Sequence, residues 1–147
     1  MISVPNARSV VAALVTVTCL AFGYRAHALG QGAFKGHATD PNTIACFESS
    51  SGNIINDGCS GSISYTIPLA TNAGGHSVRI DGTNTGGLSC ILCSTTQSGL
   101  ASCVNFPGFP SGTSAQTATV NVPSNGGMYA RCSVGPNTAL NAVNYTP

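Results

Sequence analysis

The sequence predicts an all-β fold, an antiparallel immunoglobulin-like β-sandwich of about seven strands that disulfides stabilise. Three observations predict it: short apolar runs that alternate with polar residues, turns rich in glycine and asparagine, and six cysteines that follow an export signal. No segment shows a sustained 3.6-residue apolar periodicity, so very little helix is expected. Two packed antiparallel sheets joined by short turns are the architecture that fits this pattern.

The first 28 residues have the order of a secretory signal peptide. One positive charge, Arg8, precedes an apolar run over residues 9–24, and Ala26-His27-Ala28 supplies small residues for cleavage. This run is shorter than the ~20 residues that cross a bilayer, and no later apolar stretch comes close to that length. No membrane span is therefore expected after signal cleavage. Cys19 lies inside the run, and the residues before it lack the pattern of a lipoprotein anchor. We therefore expect a secreted or periplasmic protein whose mature chain begins at Leu29.

The mature chain is expected to be one domain that follows a flexible N-terminal segment. Removal of 28 of the 147 residues leaves a length typical of a single domain. Residues 29–45 contain three glycines and the Asp40-Pro41 pair but no sustained periodicity, which predicts a flexible lead-in. The sandwich domain is therefore predicted over residues 46–147.

Each predicted strand alternates between an apolar and a polar face. The first shows it most clearly, since Ile63, Tyr65, Ile67 and Leu69 are separated by serine, threonine and proline. The later alternating runs are, in chain order, Val78–Asp81, Leu88–Cys93, Ala101–Phe106, Thr117–Val122, Met128–Val134 and Ala139–Tyr145. Three of the breaks carry paired glycines, which accept the positive φ angles of tight turns.

Strand geometry predicts how the six remaining cysteines pair. Three residues along a strand span about 10 Å and point to opposite faces, so Cys90 and Cys93 are too far apart to bond to each other. Cys90 and Cys132 each share a face with apolar residues, which predicts a bridge across the core between the two sheets. Cys93 and Cys103 face outward on neighbouring runs, which predicts a cross-strand bridge. The complete predicted set is Cys46–Cys59, Cys90–Cys132 and Cys93–Cys103.

The Cys90-x-x-Cys93 spacing also occurs in zinc sites and redox motifs, but both alternatives are weaker here. A second pair of zinc ligands is absent, and His37 and His76 lie far away in sequence. A thioredoxin-like pair lies between a strand and a helix, and no helical pattern follows Cys93. We therefore expect neither a metal site nor a cofactor.

The charge of the mature chain is low and scattered. Lys35, Arg79 and Arg131 are its basic residues, against four acidic ones, and neither sign is clustered. Binding to nucleic acid or to an anionic membrane depends on concentrated Lys and Arg, so neither partner is expected. Low net charge leaves little repulsion between copies, which favours self-association or docking on an unknown protein or surface partner.

No set of residues predicts a catalytic site. His76 is the strongest single candidate, but the nearest carboxylate, Asp81, lies ~16 Å away along the same predicted strand. The four carboxylates are spread along the chain, and three of them precede Pro or Gly as turn residues do. A small hydrolase assembled around His76 remains an alternative hypothesis.

Three side chains are candidates for contact with a partner. Phe109 lies in the apolar, proline-rich loop Phe106–Pro110, where an exposed ring would anchor a partner. The alternative, which the apolar composition favours, is a loop that folds back over the end of the sandwich. Tyr129 and Arg131 lie beside each other on the face that alternation turns away from the core. The leading hypothesis is a secreted, non-catalytic β module that acts by contact. A second alternative is an inhibitor or effector that presents the Phe106–Pro110 loop.

Overall fold

A computed structural model describes residues 29–146. The predicted signal peptide, residues 1–28, lies outside the described residues. Within them the chain forms eleven strands and two 3-10 turns, the latter at Ala33–Lys35 and Pro41–Cys46. The strands are β1 (Leu29–Gly32), β2 (His37–Ala38), β3 (Phe47–Ser50), β4 (Asn53–Asn56), β5 (Ile63–Leu69), β6 (Gly74–Asn84), β7 (Leu88–Thr95), β8 (Ala101–Asn105), β9 (Gly112–Val122), β10 (Gly127–Val134) and β11 (Thr138–Tyr145).

The strands form two sheets that pack face to face. The six-stranded sheet has the order β3-β4-β11-β6-β9, with β1 pairing with β11 in addition. The five-stranded sheet has the order β2-β5-β10-β7-β8. The strand pairs of both sheets are antiparallel. The predicted antiparallel β-sandwich is therefore confirmed.

The seven predicted runs correspond to β5–β11, and their apolar faces form the core. The inward side chains of β5 alternate with its outward ones along the whole strand, as the sequence pattern requires. Both sheets contribute fully buried side chains to one continuous apolar cluster. Its fully buried members include Ile67, Ile80, Leu92, Leu140 and Val143.

The structure of residues 29–45 differs from the flexible lead-in that its glycines predict. Strand β1 pairs with β11, and β2 pairs with β5, so the sandwich begins before Cys46. Ala33 is fully buried, and its carbonyl oxygen accepts a hydrogen bond of 3.1 Å from the Tyr65 hydroxyl. Strands of two and four residues are too short to show an alternating pattern, so β1 and β2 carry no strand signal.

The six cysteines are paired as predicted, in the bridges Cys46–Cys59, Cys90–Cys132 and Cys93–Cys103. The location of one bridge corrects the prediction. Cys90 and Cys132 lie directly opposite each other on β7 and β10, with Cα atoms 4.1 Å apart. This bridge therefore joins neighbouring strands of the five-stranded sheet and does not cross to the other sheet. Alternation predicts that both residues face inward, but it does not reveal which strands are neighbours.

Two loops meet at one end of the sandwich at a distance that requires glycine. A Cβ atom on Gly135 would overlap the backbone carbonyl of Gly86, so no larger residue fits without a backbone shift. The buried Thr138 hydroxyl accepts hydrogen bonds from the backbone amides of Thr85 and Gly86, at 3.2 and 2.8 Å. The paired-glycine turn before β7 is thereby fixed against the start of β11.

The bridge between β7 and β10 should contribute more stability than the bridge between β7 and β8. They close loops with sequence separations of 42 and 10, for which loop-closure entropy gives about 4 and about 3 kcal/mol. We expect Cys90→Ala/Cys132→Ala to lower the free energy of unfolding by more than Cys93→Ala/Cys103→Ala does. Urea unfolding monitored by circular dichroism measures both losses. Equal losses would contradict this explanation.

Burial raises the pKa of Tyr65 to about 12, above its ordinary value of 10.0. Because the folded state holds the Tyr65 proton more tightly than the unfolded state does, folding gains stability from the neutral phenol. That gain is complete below pH 10.0 and is lost as the pH rises to about 12. Tyr65→Phe removes the titration and also the donor to Ala33, which costs about 1 kcal/mol at neutral pH. We expect the stability advantage of the wild type over Tyr65→Phe to shrink above pH 10.0 in urea unfolding. Parallel pH profiles would argue against this burial effect.

Candidate functional site

The outer face of the five-stranded sheet carries side chains in rows that run across the strands. Directly opposed residues on neighbouring strands share a face, so the register defines each row. The Arg131 row consists of Asn105, Ile91, Arg131, Thr66 and His37. The serine row beside it consists of Ser89, Ser133 and Ser64. The Arg131 row crosses all five strands, a span of ~19 Å at ~4.8 Å per strand.

A groove of about 380 Å³ lies over the serine row and over the part of the Arg131 row that β8, β7 and β10 contribute. Its polar lining combines a guanidinium, a carboxamide and the three serine hydroxyls, and Ile91 and Phe106 add apolar surface. The side chains of Arg131, Ser89 and Asn105 are exposed to solvent, whereas Phe106 is buried beneath them. Apolar surface with a few convergent polar groups is the usual composition of a ligand site. The groove can therefore donate and accept hydrogen bonds along one side of a bound molecule.

Arg131 is the charged group among the residues that line this groove. Within residues 29–146, its guanidinium has no hydrogen bond or ion pair, whereas Arg79 on the six-stranded sheet pairs with Asp81 at 2.8 Å. Asp81 and Asp40 both use their carboxylates locally, Asp40 by accepting a bond of 2.9 Å from the backbone of Asn42. The Arg131 guanidinium is consequently available to an external acceptor.

Tyr129 lies on the same outer face as Arg131, two residues before it on β10. It is partly exposed and lies opposite Cys93 on β7, which is bonded to Cys103 on β8. This bridge holds the edge strand against its neighbour and so fixes the end of the groove that carries Asn105. The structure brings the predicted pair Tyr129 and Arg131 to one face; a contact role for either residue stays a prediction.

Of the two arrangements open to the Phe106–Pro110 loop, the structure shows the one that folds back, so the Phe109 ring is not an exposed anchor. The residue is 6% exposed, and its ring lies 6.5 Å from that of Phe106, which is equally buried. Its carbonyl oxygen accepts a hydrogen bond of 2.7 Å from the Asn84 side chain. The segment Phe106–Pro110 folds back because both phenyl rings gain burial in the core. An inhibitor or effector that acts through this loop therefore loses its main support.

His76 is buried and uses both ring nitrogens within the protein. Nδ1 lies 2.8 Å from the carbonyl oxygen of Thr146. Nε2 lies 2.8 Å from the Thr71 hydroxyl and 2.8 Å from the carbonyl oxygen of Asn72. None of these partners is a carboxylate, and the described residues that line the adjacent cleft of about 440 Å³ include none either. The ring connects the segment before β6 to Thr146, just after β11, which favours a structural role.

The described residues contain no group of three or more His, Cys, Asp or Glu side chains arranged to hold a metal ion. In residues 29–146 there is also no helix with the length and apolar character of a membrane span. A third cavity of about 270 Å³ lies between the start of β3 and β5 and is lined by apolar side chains and His37. Its Phe47 ring packs edge-on against Tyr65 at 5.0 Å, so this cavity continues the core.

Most of the groove was missed by reasoning from the sequence. Alternation alone turns Ile91 and Ser89 outward, and that signal was available. Asn105, Arg131 and the serines meet only because β8, β7, β10 and β5 lie side by side in that order. The order is a tertiary property, and no local pattern in this sequence encodes it.

The comparisons with known proteins show a fold and no family. No protein-family model matches the chain, and no curated protein matches it. The structure is similar to the C-terminal CBM6 of LamC, a marine laminarinase from Zobellia galactanivorans, with a TM-score of 0.50 and 14% identity over 82% of this chain and 100% of that one.

Two further solved structures share the fold. The apo CBM1 structure of BiXyn10A gives a TM-score of 0.55 at 11% identity, over 83% of this chain and 97% of that one. A native family 35 carbohydrate-binding module from Clostridium thermocellum gives a TM-score of 0.51 at 10% identity, over 82% of this chain and 98% of that one. At these identities the similarity shows the β-sandwich fold alone.

His76→Ala should lower stability and leave the groove unaffected. The variant removes the ring's hydrogen-bond contacts with the carbonyl oxygens of Thr146 and Asn72 and with the Thr71 hydroxyl, for which we expect a loss of about 2 kcal/mol. His76 lies on the six-stranded sheet, away from the Arg131 row. Thermal unfolding followed by circular dichroism measures the change. An unchanged melting temperature together with loss of a hydrolytic activity would instead favour a catalytic His76.

Proposed function

We propose that this protein is a non-catalytic, secreted or periplasmic module that binds a saccharide by contact in the groove over the Arg131 row and the serine row. The observation that carries the proposal is the chemistry of that groove. Hydroxyl, amide and guanidinium groups border it beside the apolar Ile91, and Arg131 has no internal partner within residues 29–146.

This chemistry suits a saccharide because a sugar ring has two kinds of surface. Its hydroxyls need both donors and acceptors, which Ser89, Asn105 and Arg131 provide, and its C–H faces pack on apolar side chains such as Ile91. The neighbouring solved structures named as carbohydrate-binding modules share the fold and support the same class of function. Fold similarity alone would be insufficient, since one fold serves many functions.

The rigidity of the scaffold supports binding by contact. Two bridges tie β7 to β10 and to β8, the strands that carry most of the groove. A preformed site loses little conformational entropy when a ligand binds, so moderate contacts are sufficient for affinity. Three disulfides are also typical of proteins that work in an oxidising compartment, which supports a secreted or periplasmic location.

The hydrolase alternative has less support. It requires His76 to exchange a proton with a substrate, but the ring nitrogens bond to Thr71, Asn72 and Thr146. Backbone carbonyl oxygens supply two of those contacts, and no carboxylate orients the ring. The geometry therefore favours a module whose effect comes from binding.

Arg131→Ala should weaken saccharide binding about 10- to 100-fold, because a hydrogen bond from a charged donor contributes about 1.5–3 kcal/mol. The oxidised mature chain is first screened on an array of neutral and acidic oligosaccharides. The best ligand is then titrated by calorimetry against the wild type and the variant.

Arg79→Ala is the matched control, since it removes the same side chain from the outer face of the other sheet. It should retain wild-type affinity. The proposal fails if no saccharide on the array binds the wild type, or if the two arginine variants lose affinity equally.

A further inference from the structure

Strand β9 forms an open edge of the six-stranded sheet. All eleven of its residues, Gly112–Val122, pair with β6 on one side. On the other side no strand of residues 29–146 pairs with it. Edge strands of this kind present unpaired backbone N–H and C=O groups, which are a template for another strand.

This edge lacks the features by which proteins usually prevent such pairing. Those features are short length, charged residues, proline and β-bulges. Residues 82–130 contain no Asp, Glu, Lys, Arg or His, and Gly112–Val122 contains no proline. The β6–β9 register runs one-to-one over its full length, without a bulge. Threonine and valine, which favour strands, make up much of β9.

The strands at the opposite side of the sandwich are protected. Strand β3 has four residues, one of which is Glu48, and β2 has only two. Strand β8 is the end strand of the five-stranded sheet that lies nearest to β9, and it is also uncharged. Leu100 and Val104, which belong to the turn before β8 and to β8 itself, are 72% and 38% exposed. The two end strands on this side, β8 and β9, are therefore both uncharged.

We infer that β9 pairs antiparallel with β9 of a second copy of this chain, forming a two-fold dimer in which the two six-stranded sheets become continuous. A second copy fits because an antiparallel strand pair about a two-fold axis is self-complementary: each strand offers the other the same length and the same open groups. Since β9 carries no charge, identical strands meet without repulsion.

The dimer has a consequence for binding. Pairing at β9 extends the six-stranded sheet, so the outer face of the five-stranded sheet in each copy remains free. The dimer presents two grooves, which would raise the avidity for a ligand with repeated units without adding a contact to either groove. The inference itself stands on the edge strand and does not require the groove to bind a saccharide.

Paired charge variants test the interface. Thr113 and Thr119 lie on the exposed face of β9, and their partners on β6 are the uncharged Thr83 and Ser77. Lysines at both positions repel those of a second copy within the ~10 Å range of electrostatic interaction at moderate salt. Thr113→Lys/Thr119→Lys and Thr113→Glu/Thr119→Glu should each weaken dimerisation at least tenfold, and an equimolar mixture should restore a mixed dimer.

Sedimentation velocity of the oxidised mature chain at increasing concentration measures the association. Ser49→Lys on β3 is the control and should dimerise like the wild type. Circular dichroism verifies that each variant is folded. A wild type that stays monomeric at every concentration would overturn the inference. So would charge variants that dimerise normally, or an equimolar mixture that remains monomeric.

Discussion

Two disulfides join three adjacent strands of one sheet, and the arrangement of the outer surface depends on them. Cys132 on β10 is bonded to β7, and β7 is bonded through Cys93 to β8. The first bridge faces the core and the second faces outward, so the middle strand is fixed through both of its faces. A chain with very few charges and no tryptophan uses these covalent links where larger proteins rely on a larger core.

The groove follows from this constraint. A ligand surface built across strands requires that each strand keep its lateral register, because a slip of one residue turns every side chain to the opposite face. The bridges between β7, β8 and β10 prevent such a slip where Ile91, Asn105 and Arg131 meet. Exposed polar side chains contribute little to the stability of the fold. The identity of the groove residues is therefore free to serve binding without lowering the free energy of unfolding much.

The sequence predicted those features that depend on local geometry. The strands from Ile63 onward, their buried faces and the cysteine pairs all follow from a two-residue alternation and the reach of a disulfide. The sequence did not predict the features that depend on tertiary neighbours. Strands β1 and β2 are too short to show a pattern, and the location of the Cys90 bridge depends on strand order. The orientation of Phe109 stayed open between exposed and folded back, because proline and glycine in its loop predict a turn but not which way the turn folds. Of the groove, only Arg131 and the neighbouring Tyr129 were singled out.

The pairing of β1 with β11 has a kinetic consequence. Leu29 lies opposite Tyr145, so the first and the last described strands of the sandwich are neighbours. The pairing of β1 in the six-stranded sheet therefore waits for β11, and it requires the most distant loop closure among the described strands. Local bridges such as Cys93–Cys103 are able to form earlier, since their partners are ten residues apart. Folding is expected to proceed from the hairpins inward, with the joining of the two ends as the slow, final event.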